Sequence, residues 1–269
     1  MPKLQGAHVL ITGGSSGIGL ATAHLAVERG ARVSLIARRA DVLDEAAAAL
    51  RAAGGKVSVA ATDVADAAQV DLAIATLTGA HGPVDIAICS AGQARPGYFE
   101  ELDPDLFRQM MDVNYFGTVN VVRAVVPAMI ERRGGSIVGV SSAAGLVGVF
   151  GYTAYAPTKF AVRGFLESLR GELLPHGIHV GCSFPPDTDT PQLADENRYK
   201  PRETKAISGT IKPLSAERVA KSIVVGIEKE RFAIVPDVST RGLAKLAGLA
   251  PGLVAKVMDR AVRKSRAKR

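Results

Sequence analysis

Short apolar runs alternate with amphipathic stretches along most of the chain. Residues 8–12, 32–37, 56–62, 84–90, 136–141 and 179–184 are nearly continuous in Val, Ile, Leu and Ala. Runs of this length predict strands that are covered on both faces. Between them, residues 17–29, 41–53, 65–78, 104–132 and 153–175 are rich in helix formers and amphipathic. Residues 216–230 predict another helix and 232–235 a last strand. Alternation of β and α with short connections predicts parallel strands joined by right-handed crossovers, hence one doubly wound α/β domain. In such a sheet the ligand crevice lies beyond the carboxyl ends of the strands.

The first predicted strand runs into Thr12-Gly13-Gly14-Ser15-Ser16-Gly17-Ile18-Gly19 and then into a helix. Glycines belong where a turn is tight and a pyrophosphate must approach the backbone. The helix start adds free N–H groups and a favourable dipole for the anion. A glycine cluster alone is weak evidence, but strand–turn–helix is the context that dinucleotide binding requires. Gly13, Ser15, Ser16, Gly17, Ile18 and Gly19 are therefore expected to hold a dinucleotide. The second predicted strand ends at Ala37, followed by Arg38 and Arg39. A carboxylate at this strand end would select a ribose 2′-hydroxyl. Ala37 supplies none, and Arg38 and Arg39 suit a 2′-phosphate, so NADPH is the expected cofactor.

Tyr155 and Lys159 lie four residues apart in a predicted helix, on one face and one turn from each other. A phenol with its ordinary pKa near 10 is a poor acid–base group at neutral pH, and an adjacent ammonium is expected to lower it. Ser142 ends the fifth predicted strand, where its hydroxyl can steady a carbonyl oxygen that gains negative charge. Ser141 reads as a structural neighbour.

With these motifs in order, the chain resembles the short-chain dehydrogenase/reductase family over roughly residues 5–235. The resemblance implies a Rossmann-type parallel sheet and reversible hydride transfer between a nicotinamide and a ketone. It assigns catalysis to Ser142, Tyr155 and Lys159, with Asn114 holding a water that links Lys159 to solvent. It also implies adenine contact at Asp63-Val64 and cofactor contact at Ala91, Gly92, Tyr155, Lys159, Pro185, Thr188 and Thr190, with Lys159 on the nicotinamide ribose. Cys89 and Ser90 stand where the family has two asparagines, which puts a local strand brace in doubt but removes no catalytic group. Pro186 replaces the family's usual glycine, and Asp187 and Asp189 read as turn caps. The Pro185–Thr190 stretch, with Glu196-Asn197, the residues from Lys200 to Thr204, and those from Gly148 to Tyr155, is similar to a subgroup of the family, the 3-ketodihydrosphingosine reductases. That implies NADPH-dependent reduction of a long-chain ketone during sphingolipid synthesis; another lipophilic ketone, such as a steroid or acyl chain, stays open, as does a non-catalytic NADPH-binding regulator. The resemblance further implies a homo-oligomer, dimer or tetramer, built through the helices predicted at 104–132 and 153–175.

Composition narrows the class without changing this picture. The 269 residues are 47% hydrophobic and 22% charged, which excludes collagenous and disordered chains. Two cysteines, Cys89 and Cys182, exclude a disulfide scaffold and suit a reducing compartment. No window holds 18 uninterrupted apolar residues and the first apolar run is too short for an export signal, so a cytoplasmic protein is expected. No metal site is predicted.

Net charge is +7, and it is concentrated at one end: residues 241–269 carry nine Lys/Arg and a single acid, Asp259. The division expected is a reductase domain over 1–238, including a substrate loop at 186–214, and a tail over 239–269. Leu243, Leu246, Leu249, Leu253, Val254, Val257 and Met258 give the tail an apolar stripe, which Gly248, Pro251 and Gly252 divide into two short helices. Lys245, Lys256, Arg260, Arg263, Lys264, Arg266, Lys268 and Arg269 flank it. Stripe plus cations predicts peripheral contact with an anionic membrane surface facing the cytoplasm, with packing on the domain as the alternative. Nucleic acid is not expected, because the tail has no aromatic residue to stack on bases.

Overall fold

The computed structural model describes residues 4–208 and 212–267. Seven parallel strands form the main sheet: β1 (His8–Thr12), β2 (Arg32–Ala37), β3 (Lys56–Ala61), β4 (Ile86–Cys89), β5 (Gly135–Val140), β6 (Ile178–Ser183) and β9 (Ala233–Ile234). Their order is β3-β2-β1-β4-β5-β6-β9, so the winding reverses between β1 and β4. That reversal is the topological switch point, where the carboxyl ends of the strands open a crevice.

The helices close both faces. On one side lie α1 (Gly17–Glu28), α2 (Ala40–Ala52) and α9 (Ala216–Glu228); on the other lie α3 (Ala67–His81), α5 (Gly117–Arg132) and α6 (Ala156–Leu173). Strand periodicity decides which side chain goes where. Val9 and Ile11 pack with Ala23, Leu43 and Ile223 on the first face, while Leu10 between them packs with Val121 and Met129 on the second. Local chemistry sets the helix starts. Asp66 accepts the N–H groups of Ala68 and Gln69 to cap α3, and Asp103 with Pro104 opens α4 (Pro104–Met111).

Two predicted elements differ. The helix expected over 104–132 carries a wide π turn, Asp112–Phe116, between α4 and α5, which turns the buried Asn114 inward. The whole stretch Pro104–Arg132 is long and apolar enough to cross a membrane by length and composition, with mean hydropathy 1.2, although it lacks an unbroken apolar run. Here its Val121, Val122, Val125 and Met129 lie in the core. The helix expected from residue 153 begins at Ala156, leaving Tyr155 at its N-cap.

Residues 186–214 hold structure of their own. A short β7 (Thr188–Asp189) pairs with β8 (Leu214–Ser215), and between them lie α7 (Pro191–Tyr199) and α8 (Arg202–Ser208). Residues 209–211 of this predicted substrate loop lie outside the described residues. The tail forms α10 (Val238–Leu249) and α11 (Pro251–Ala267), divided at Ala250 with Pro251 opening the second. At 17 residues, α11 is longer than expected, because Gly252 falls within its first turn, where it is tolerated. The predicted tail cations Lys268 and Arg269 lie outside the described residues.

Candidate active site

A cavity of about 720 Å³ opens over the carboxyl ends of β1, β2, β4, β5 and β6. The glycine turn forms one end. Gly13 has φ +66°, and a Cβ there would stand 2.9 Å from the backbone of Ala91. Gly17 has φ +53° beside Thr190, and a Cβ on Gly19 would strike the carbonyl oxygen of Gly13. The cradle therefore excludes side chains at its tightest points. Ser16 caps α1 through its backbone alone, without a side-chain hydrogen bond, and no acid occupies the first turn. The N–H groups of this helix start are left to an anion, as a bound pyrophosphate requires.

Gly13, Ser15, Ser16, Gly17, Ile18, Gly19, Arg38, Arg39, Val64, Ala91, Gly92, Pro185, Thr188 and Thr190 all line this cavity, as the sequence predicts for a dinucleotide. Arg38 and Arg39 are exposed at the end of β2, with Ala37 half-buried before them. Asp63 is the exception: it is not in the lining, and its carboxylate accepts the N–H of Ala65 at 3.0 Å in a local turn. Thr62, from the end of the adjacent strand, lines the cavity together with Val64. The doubt raised by Cys89 and Ser90 resolves through Thr12, whose hydroxyl accepts the N–H groups of Ser90 (3.2 Å) and Ala91 (3.1 Å) and so ties β1 to β4. Burial pushes the thiols of Cys89 and Cys182 up to about 12, leaving both as inert core groups.

The predicted proton-transfer set comes together at the centre. Ser142, Tyr155 and Lys159 line the cavity, and the Ser142 hydroxyl lies near enough to Tyr155 to favour its phenolate. Ser141 also lines the cavity, but its hydroxyl is committed to the Lys159 carbonyl, to which it donates at 2.8 Å, a structural contact. Asn114 is buried just behind: its Nδ2 donates to the Gln93 carbonyl (3.0 Å) and to Thr158 Oγ1 (2.9 Å), and its Oδ1 accepts the Gln93 N–H (2.8 Å). A Cβ on Gly92 would lie 3.1 Å from Asn114 Oδ1 and 3.4 Å from Lys159 Nζ, so the two side chains converge on that glycine.

Lys159 Nζ stands 5.6 Å from the centre of the Tyr155 ring and donates to the Val140 carbonyl at 3.0 Å. Burial, joined by the Glu196 and Asp187 carboxylates, pushes the Tyr155 phenol well above its ordinary value, with Ser142 opposing. The expected lowering by Lys159 does not occur, because desolvation and like-signed neighbours of the phenolate dominate. Burial also lowers Lys159, to about 8.

Several lining residues escape sequence reasoning. Tyr152 donates from its hydroxyl to Glu196 Oε2 at 2.8 Å, and its ring lies 5.6 Å from that of Tyr155. Asp187, read as a turn cap, instead accepts a salt bridge from the buried Lys200 at 2.9 Å, while Thr190 caps α7. Beyond Tyr155 the wall turns apolar with Val147, Val149, Leu193, Ile207, Leu243 and Met258. Leu243 and Met258 come from the tail, which thus folds back over the cavity. Arg266 fastens it, donating to the buried Glu203 at 3.0 Å.

The parallel sheet, its order and this cavity place the protein among nucleotide-dependent oxidoreductases. The chain belongs to the short-chain dehydrogenase family, whose model matches residues 7–201, and it is accordingly an oxidoreductase. It is 47% identical to a 3-dehydrosphinganine reductase of Danio rerio over 82% of this chain and 68% of the relative. It is 42% identical to a 3-ketodihydrosphingosine reductase of Dictyostelium discoideum over 93% of this chain and 80% of that one. Among solved structures, a short-chain dehydrogenase of Sphingobium yanoikuyae in complex with NADPH superposes with TM-score 0.78 at 27% identity, covering 93% and 95% of the two chains. A Burkholderia phymatum member in complex with NAD superposes with TM-score 0.83 at 26% identity, covering 91% and 94%.

Proposed function

We propose that the protein reduces the C3 ketone of 3-ketodihydrosphingosine to a secondary alcohol with NADPH, a step of sphingolipid synthesis. One observation carries the reading: Ser142 and Tyr155 sit in a single cavity, between a glycine cradle for a dinucleotide and an apolar end for an alkyl chain. The names of the Danio and Dictyostelium relatives support the choice of ketone. The nicotinamide, when bound, supplies the hydride. Tyr155, held protonated by its buried setting, delivers a proton to the ketone oxygen. Ser142 donates a hydrogen bond to the same oxygen as negative charge develops there. Lys159, whose Nζ converges with Asn114 on Gly92, would bind the nicotinamide ribose and resupply the phenol. Arg38 and Arg39, at the cavity edge, would hold the 2′-phosphate. Incubation with this ketone, a steroid ketone and a 3-ketoacyl ester, each with NADPH and with NADH, tests the reading. NADPH consumption fastest with the amino ketone is the expected result; a steroid reduced faster would contradict it.

The site also suggests where the enzyme meets so insoluble a substrate. Leu246, Leu249, Leu253 and Val257 remain exposed on the outer side of α10 and α11, while Leu243, Val254 and Met258 pack inward. The stripe is thus shared between domain packing and a free apolar row, flanked by exposed Lys245, Lys256, Arg260 and Lys264. We infer that this row seats on an anionic cytoplasmic membrane surface at the roof of the cavity. Serine at Leu249, Leu253 and Val257 together leaves the inward face intact. It should cut sedimentation with anionic vesicles at least about tenfold, given the apolar area withdrawn from lipid. Undiminished binding would contradict the proposal. Exposed Phe116 and Phe160, beside α5 and on α6, support the homo-oligomer expected of the family.

A further inference from the structure

We propose that Glu196 receives the ammonium group at C2 of the substrate and so selects amino ketones over neutral ones. This rests on the reading above, in which the amine is adjacent to the carbon that accepts hydride.

Glu196 is only 7% exposed, yet it lines the cavity that holds Tyr155. Two neighbours fix its carboxylate: Gln192 Nε2 donates to Oε1 at 2.9 Å and the Tyr152 hydroxyl to Oε2 at 2.8 Å. Both donors are neutral. Among the described residues no Lys or Arg forms a salt bridge with it; the buried Lys200 is committed to Asp187 at 2.9 Å. Lys159 lines the same cavity and feels the Glu196 carboxylate, but its ammonium donates to the Val140 carbonyl at 3.0 Å and forms no salt bridge with that carboxylate, so Glu196 has no direct cationic partner among the described residues. A buried charge without a counter-charge is costly, and packing alone would be served as well by a neutral glutamine. Each carboxylate oxygen keeps a second lone pair for a further donor. A cation that arrives with the substrate completes the arrangement, and a steroid or acyl ketone brings none.

The position also links recognition to chemistry. Tyr152 bridges from Glu196 to within 5.6 Å, ring to ring, of Tyr155. Glu196 and Asp187 both help hold the Tyr155 phenol protonated. An ammonium seated on Glu196 cancels part of that field and eases proton transfer to the oxygen of the same substrate. Burial raises the Glu196 carboxyl itself above the usual carboxylate range, against Gln192, Tyr152 and Lys200, and a bound cation brings it back down.

The test compares 3-ketodihydrosphingosine with 1-hydroxyoctadecan-3-one, the same chain without its amine, on wild type and Glu196→Gln. The variant is expected to lose about 30- to 100-fold in kcat/KM on the amino ketone, the scale of one hydrogen bond to a charge. On the deamino ketone it should lose no more than about threefold, and its NADPH affinity should be unchanged. Equal losses on both ketones would overturn the assignment while leaving ketone reduction standing. If the wild type reduces neither ketone, the underlying reading falls with it. A second arm needs no variant: octadecylamine should inhibit the wild type at least tenfold more tightly than octadecanol. Equal inhibition by the two would overturn the role of Glu196.

Discussion

Replacing Tyr155 with Phe should abolish ketone reduction almost entirely while leaving the fold in place. The substitution deletes one hydroxyl and keeps the ring that packs with Ala94, Ala144 and Tyr152. What is lost is the proton donor, and positioned acid catalysis contributes about 10²- to 10⁴-fold. The expected fall in kcat/KM is of that order, about 3–5 kcal/mol of transition-state stabilisation. Stopped-flow NADPH oxidation measures it, and a rate within threefold of wild type would remove Tyr155 from the mechanism. Lys159 adds a pH signature. Its ammonium, lowered to about 8 by burial, is charged below that pH and loses its proton as pH rises through it. The kcat/KM for reduction should therefore decline on the alkaline side with a midpoint near 8, well before an ordinary lysine would titrate.

The second large effect concerns the coenzyme. At the end of β2, Arg38 and Arg39 are exposed and line the cavity, with no acid at Ala37. Arg38→Ala removes one charge-assisted contact, and hydrogen bonds to charged groups are worth about 1.5–3 kcal/mol. Because Arg39 can partly replace it, the single change should weaken NADPH only about tenfold. Adding Ala37→Asp places a carboxylate against the 2′-phosphate and offers an acceptor to a 2′-hydroxyl. The double variant should prefer NADH, shifting the ratio of kcat/KM values by at least about 10²-fold. An unchanged ratio would show that the two arginines are only solvated.

Much of this was legible in the sequence, for a physical reason. A tight phosphate cradle must be glycine, and Tyr155 and Lys159 at a spacing of four face one side of a turn; both patterns act over a few consecutive residues. The sheet was equally clear, since strands covered on both faces must be continuously apolar. What stayed hidden depends on distant segments meeting. Glu196 on α7 reaches toward Tyr155 through Tyr152, 44 residues earlier in the chain. The local traces were Gln192 and Glu196 at helical spacing and the resemblance of both stretches to one subgroup, and neither says that Tyr152 and Glu196 meet. Leu243 and Met258 reach the cavity because Glu203 anchors Arg266, a contact no periodicity announces. Nor does periodicity reveal the π turn at Asp112–Phe116, which interrupts an unbroken helical pattern. The direction of the Tyr155 shift was misjudged for the same cause: proximity to Lys159 was visible, burial and two carboxylates were not.

Hydride transfer to the C3 carbon of a long-chain amino ketone can be followed directly with an isotope. NADPH carrying deuterium on both C4 positions, incubated with purified protein and 3-ketodihydrosphingosine, should yield dihydrosphingosine heavier by one deuterium, located at C3. Tyr155→Phe should yield almost none. Product that forms without deuterium at C3, or NADPH consumption without the amino alcohol, would contradict the account.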